Sequence, residues 1–296
     1  MRAVLDCIPC IIRQGLNTAR LATDDPKVQR EILDRIMQEL IGTPLTGTPG
    51  DHSNVAYRVV REVTGVDDPY YELKRKYNRI ALELYPRLKE LVVSSEDPLH
   101  TAVKLAAAGN VIDLGIGVQF DVEREVEEVL RTPFSVDHFP GFVEELERAE
   151  RLIYIGDNAG EIVFDKVLIE EIRKEADCEV TFVVRGGPCI NDALREDAEE
   201  VGMEEVARVI DTGSDGIGIP WADVSEEFKE EFLKADVRIA KGQGNFETLS
   251  ERSDPIYFIL KAKCEAVARE LGVGYGEIVF KRHPAAPPRS NLSPPS

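Results

Sequence analysis

The spacing of apolar positions changes rhythm part-way along the chain. Up to about residue 110 they recur at helical intervals, and three helix starts share one device, Asp followed by Pro: Asp25-Pro26, Asp68-Pro69 and Asp97-Pro98. Asp accepts from the free N–H groups of a first turn, and Pro at the first helical position forfeits no hydrogen bond. The helix from Pro69 is expected to be long and to bend near Pro86. The helix from Pro98 closes on Ala106, Ala107, Ala108 and Gly109, small residues that let a neighbour approach closely. Beyond about Pro140, short apolar runs alternate with amphipathic helices. The runs are 152–155, 180–184, 207–210, 237–240, 256–260 and 277–280, the last suited to a sheet edge. The helices fall near 161–176, 191–201, 225–233 and 264–271. This alternation predicts an α/β fold with a parallel sheet covered on both faces.

In such a sheet, ligands bind beyond the carboxyl ends of the strands. Four consecutive runs end in Gly with charged or amide side chains. Asp157 and Asn158 follow the first, and Arg185, Gly186, Gly187, Asn191 and Asp192 the second. Asp211 to Asp215 follow the third, and Lys241, Gly242, Gly244 and Asn245 the fourth. Asp157, Asn158 and Asp192 are hard oxygen donors suited to a divalent ion such as Mg or Mn. Lys241 would add positive charge for a phosphoryl transition state, with Arg185 and Asn245 as further candidate phosphate contacts. The helix starting at Gly160 or Glu161 would receive phosphate oxygens, and Glu161 is a candidate base. Each residue also has a plainer reading: Asp157 and Asn158 as a helix cap, Asp192 as a first-turn acid, Lys241 as a solvated strand end. The pair Cys7-x-x-Cys10 is open between metal or redox work and small core residues.

Composition narrows the partners. A net charge of −19 argues against a nucleic-acid polymer. No apolar run reaches the roughly 20 residues needed to span a bilayer. Asp6, Arg13 and Arg20 interrupt any early hydrophobic region, so the cytoplasm is the default location. Five Cys in 296 residues do not form a disulfide scaffold.

The assembled motifs resemble the DUF89 family, the damage-control phosphatases related to ARMT1-like proteins. They are GDNAGE at 156–161, VRGGPCINDA at 184–193, DTG at 211–213 and KGQGNFE at 241–247, with AAGNVIDLG at 107–115 and DPYYELK at 68–74. The CxxC at Cys7 and Cys10 looks like the mark of subfamily I. The resemblance implies a three-layer α/β/α fold with a mostly parallel, Rossmann-like sheet and an N-terminal helical subdomain. The corresponding division is 1–110 helical, 111–282 α/β with the site, and 283–296 a Pro/Ser-rich tail. The resemblance also implies a metal-dependent phosphatase using Mn, Ni, Co or Mg. Asp157, Asn158 and Asp192 would be its metal ligands and Lys241 a phosphate contact, with Asn110 and Asp113 lining the site. Expected substrates are small phosphomonoesters: sugar phosphates, damaged phosphometabolites or nucleotides. The alternative is a non-catalytic nucleotide or phosphometabolite binder using the same pocket. Oligomeric state is not legible in the sequence.

Overall fold

The computed structural model describes residues 1–111 and 122–284. Five helices come first: α1 (Cys7–Ala22), α2 (Pro26–Gly42), α3 (Pro49–Thr64), α4 (Tyr71–Val93) and α5 (Pro98–Val111). After α6 (Val122–Arg131), β1 (Val136–Asp137) and α7 (Phe139–Leu146) lead into β2 (Arg151–Ile155), α8 (Glu161–Glu175) and β3 (Glu179–Val184). The chain continues through α9 (Arg195–Glu200), β4 (Arg208–Asp211), α10 (Glu226–Lys234), β5 (Val237–Lys241) and α11 (Gln243–Leu249). It closes with β6 (Ile256–Lys261), α12 (Glu265–Leu271) and β7 (Ile278–His283). Residues 285–296 of the Pro/Ser-rich tail, and Asp113, lie outside the described residues.

The Asp-Pro starts work as expected at two places. Asp25 accepts from the Lys27 N–H at 2.8 Å, and Asp97 accepts from the His100 N–H at 2.9 Å. Asp68 instead caps a turn, accepting from Tyr70 N at 2.9 Å, and α4 begins at Tyr71. Pro86 lies inside α4, which runs on for 23 residues. A fourth start, not anticipated, is a capping box in which Thr48 and Asp51 satisfy each other's backbone at the head of α3.

Among the described residues the sheet has seven strands in the order β1-β7-β6-β5-β2-β3-β4. All its pairings are parallel except β6 with β7. The run at 277–280 therefore forms an interior strand, because two-residue β1 covers its outer side, with His138 N donating to Phe280 O. Side chains alternate between faces with period two. Leu152, Tyr154, Phe182, Ile239 and Ile259 join one apolar layer with α4, α5, α7 and α8. Ile153, Ile155, Val183, Ala240 and Phe258 join the other with α10, α11 and α12. Helices α1 to α3 have an apolar cluster of their own, including Ile11, Ile32, Ile36 and Val60. The small residues of α5 meet the neighbour they were read to admit: a Cβ on Gly109 would sit 3.2 Å from the Phe164 ring of α8. Among the described residues no helix is long and apolar enough to cross a membrane.

From β2 the chain runs outward through β3 and β4, then returns to β5 and β6 on the other side of β2. The order thus reverses between β2 and β5, and a crevice opens there above the strand ends. Tyr154 in β2 faces Phe182 in β3 and Ile239 in β5, so loops carrying Asp157, Arg185 and Gly242 leave the sheet side by side. Helix α3 leans over this edge: Asn54 accepts from Ile217 N at 3.0 Å and Arg61 pairs with Asp215 at 2.8 Å.

Candidate active site

A cavity of 540 Å³ lies where these loops meet the start of α1 and the head of α3. That volume is in the range of pockets for small metabolites. Its wall includes Asp157, Asn158 and Asp192 together with Cys7, Cys10 and Cys264. The three oxygen-bearing residues come together because the 191–193 segment is extended. Ala159 N donates to Asn191 O at 2.9 Å, and Ala193 N donates to Asp157 O at 2.8 Å. Asn158 and Asp192 form a one-residue antiparallel bridge. The Asn191 carbonyl that a helix from 191 would use is taken by Ala159 N and Asp192 is held in a β-bridge, so α9 starts only at Arg195.

Asp157 Oδ2 accepts from the Asn158 amide at 3.0 Å and the Asn110 amide at 3.2 Å. Both amides also reach Glu161, Asn158 to Oε1 at 2.7 Å and Asn110 to Oε2 at 3.2 Å. Burial pushes the Asp157 carboxyl well above the usual range, reinforced by Asp192 and Glu161. Asp192 is raised too, by burial first, although Arg185 pulls it back. The Arg185 guanidinium bridges two groups: Nε donates to Asp192 Oδ2 at 2.6 Å, and Nη2 donates to Asn245 Oδ1 at 2.8 Å. Gly242 makes room for this cluster. At φ +82°, a Cβ there would stand 1.9 Å from Asp157 Oδ2.

The predicted cations lie behind the acids. Lys241 is fully buried, donating to Asp165 Oδ1 at 2.6 Å, with Glu161 Oε2 at 3.6 Å. Burial lowers the Lys241 pKa, but Asp165 and Glu161 more than reverse it. Asp165 is pushed up to about 6, by burial against the pull of Lys241 and the Tyr154 hydroxyl. Asn245 donates to Gly156 O and Lys241 O, tying two strand ends together. Of the residues read as phosphate contacts, Lys241, Arg185 and Asn245 therefore support the acidic wall from beneath. One of the N–H groups at the head of α8 is also occupied, since Gly160 N donates to Asn78 Oδ1 at 2.7 Å. Asp211 caps its own turn through Gly213 N, away from the cavity.

Four contributors escaped the sequence reading. Asp165 shares a helix face with Glu161, four positions earlier, and that spacing was a usable signal. Asn78 is buried in α4 and also donates to Asp197 and Glu200. Glu247 and Lys263 line the cavity, and only tertiary contact brings them there. Gln243 links them, donating to Glu247 Oε1 at 2.8 Å and accepting from Lys263 N at 3.1 Å. Another local signature is Ile190 on the cavity wall, a β-branched residue at φ +47°. Such strain costs on the order of 1–3 kcal/mol and concentrates at functional sites.

The five cysteines are free thiols. Burial raises the pKa of Cys7 and Cys10, and neighbouring Glu247 and Cys264 add to it. Among the described residues no three His, Cys, Asp or Glu side chains form a metal cluster by themselves. A cation on this wall would draw its third donor from the Asn158 amide oxygen.

Glu247 supplies a pH prediction. Burial pushes its carboxyl up to about 7, with Gln243 and the Met1 ammonium pulling partly back. Its folded pKa exceeds its unfolded one, so its stabilising contribution is full below pH 4.5 and is lost as pH rises through 7. Glu247→Gln is expected to match the parent protein below pH 4.5 and to exceed its stability by up to about 3 kcal/mol above pH 7. Urea unfolding across that interval measures the difference.

The model of the damage-control phosphatase ARMT1-like domain matches residues 3–279. The chain belongs to this family. Among its ARMT1-like relatives is the damage-control phosphatase PH1575 of Pyrococcus horikoshii, 40% identical and covering 96% of this chain and 99% of its own. The damage-control phosphatase of Archaeoglobus fulgidus is 35% identical, covering 93% and 97%. The uncharacterized protein MJ0202 of Methanocaldococcus jannaschii is 39% identical, covering 94% of each. A crystal structure of the Pyrococcus horikoshii DUF89 family protein superposes with a TM-score of 0.90, covering 95% of this chain and 99% of that one. The α/β architecture read from the alternating pattern is thus the family's fold. As an ARMT1-like damage-control phosphatase domain, the chain is a phosphatase.

Proposed function

We propose that the chain is a metal-dependent phosphatase for small phosphomonoesters, using Mn, Ni, Co or Mg, and that its CxxC pair places it in subfamily I. The observation carrying this reading is the acidic wall. Asp157 and Asp192 face one cavity from adjacent strand ends, and Asp157 receives only amide donors among the described residues. Like-charged carboxylates in a poorly solvated site repel one another and cost stability unless a cation joins them. The donors fit a divalent ion of hard-oxygen preference: two carboxylates and the Asn158 amide oxygen. When bound, such an ion supplies Lewis-acid polarisation of a phosphoryl oxygen and orients the attacking oxygen.

The chain's own residues do the remaining work. Asn110 and Asn158 hold the Asp157 carboxylate from one side, and Arg185 fixes Asp192 from behind. Glu161 accepts from both amides and is the base that takes a proton from the attacking water. Lys241, beneath Glu161 and Asp165, offsets their charge in the interior. The chemistry places no demand on Cys7 or Cys10.

Dialysis against a chelator is expected to lower p-nitrophenyl phosphate turnover about a hundredfold or more, with recovery on adding Mn²⁺, Ni²⁺, Co²⁺ or Mg²⁺. Turnover that survives thorough chelation would overturn the metal-dependent reading. Tight phosphate-ester binding without turnover under any of these ions would favour a non-catalytic binder.

A further inference from the structure

We propose that this pocket selects phosphomonoesters whose organic part is neutral or carries an ammonium group, and that Glu247 and Glu265 reject a second anionic group. The inference rests on the phosphatase reading and adds a substrate class to it. A pocket for an anionic ligand ordinarily carries cations where the ligand's charges lie. Here Asp6, Asp157, Asp192, Glu247 and Glu265 line the cavity, and among the described lining residues Lys263 is the one cation. The segment 112–121 contains no Lys or Arg in its sequence, so it adds no positive charge.

The acids divide into two sets. Asp157 and Asp192 belong to the proposed metal and phosphate end. Asp6, Glu247 and Glu265 lie on the remaining wall together with the three thiols and apolar residues including Ile11 and Ile217. Glu247 is buried and one of its oxygens accepts from Gln243, while Asp6 and Glu265 are exposed at the rim. Nearby cations are already engaged or lie elsewhere. Arg185 is held by Asp192 and Asn245, and Lys241 by Asp165. Arg13, whose charge reaches Cys10, is exposed and outside the lining. A metal could neutralise one phosphate at the oxygen end, but a carboxylate or second phosphate on the organic part would meet Glu247 with Lys263 as the one described lining cation, because the Met1 ammonium near Glu247 lies outside the lining and is held by Glu247 O at 2.6 Å and Ser250 Oγ at 2.8 Å. Because Glu247 is buried, this repulsion is large compared with that at an open surface. An ammonium group in the same position gains from the same field. Sugar bisphosphates, nucleoside di- and triphosphates and phosphorylated hydroxy acids are therefore poor ligands, whereas phosphates of neutral polyols or amino sugars fit the charge pattern.

The test uses the metal-loaded full chain at pH 8 and low salt, where Glu247 is ionised. Phenyl phosphates bearing a para methyl, carboxylate or aminomethyl group give kcat/KM, and the matching benzylphosphonates, which are not hydrolysed, give Kd by calorimetry. The carboxylate is expected to be worse than the methyl compound by about tenfold or more in both measurements, with the aminomethyl compound at least equal to the methyl. Glu247→Gln should narrow the carboxylate-to-methyl ratio at least about threefold. Glu265→Gln, at the exposed rim where folding is not at risk, should narrow it in the same direction. Equal handling of the carboxylate and methyl compounds, or ratios unmoved in both variants, would overturn the proposal. Because the phosphonate affinities do not depend on turnover, a charge preference seen there without hydrolysis would count against the phosphatase reading while sustaining the selectivity.

Discussion

Asp157→Asn and Asp192→Ala are both expected to lower kcat/KM for p-nitrophenyl phosphate by about a thousandfold or more, while moving stability in opposite directions. The activity loss follows from removing a carboxylate from the proposed ion-holding wall. The stability effects follow from the partners on the protein side. Asp157 is held only by amides among the described residues, and its charge faces Asp192 and Glu161. An isosteric Asn removes that repulsion, so the metal-free protein should gain about 1–3 kcal/mol. Asp192 neutralises buried Arg185 at 2.6 Å, and its removal leaves the guanidinium with Asn245 as its remaining side-chain partner. Breaking a buried pair from one side costs about 3–5 kcal/mol. Urea unfolding after chelation measures both. Wild-type-like turnover in either variant would reject the site, and equal stability changes would reject this division of roles.

Lys241→Met carries the other large effect. The ammonium lies at 2.6 Å from Asp165 and 3.6 Å from Glu161, with no exposure to water. A methionine of similar shape leaves two acids facing each other in the interior, and a loss of about 3–5 kcal/mol is expected. Adding Asp165→Asn removes one of those charges. The double variant should recover a substantial part of the loss, giving a coupling of about 1–3 kcal/mol in a double-mutant cycle. A solvated strand-end lysine, the plain reading of this residue, would show a cost under about 0.5 kcal/mol and no coupling.

The fold was legible because its signals are local. Continuous apolar runs at 152–155 and 180–184, helical spacing after Glu161 and Asp-Pro starts each act within a few residues. Two-residue β1 was not legible, since its evidence is a pair of backbone bonds to β7, more than a hundred residues away. The shortening of α9 has the same origin: extended pairing of Asp192 with Asn158 outcompetes helix propensity from 191 onward.

The site divides in the same way. The strand-turn-helix at 151–172 determined by itself that Asp157 and Asn158 stand at a strand end, and the sheet rule placed Asp192 beside them. Tertiary structure decided which charges face the cavity and which stand behind it. Lys241 and Arg185 point into the interior because Asp165 and Asp192 offer buried partners there, and a buried ion without its partner would be far costlier. Glu247, Lys263 and Cys264 reach the cavity because α11 and the 261–264 turn close against the amino-terminal helices. No local spacing encodes such a meeting. It is set by the packing of surfaces that the chain separates by more than two hundred residues.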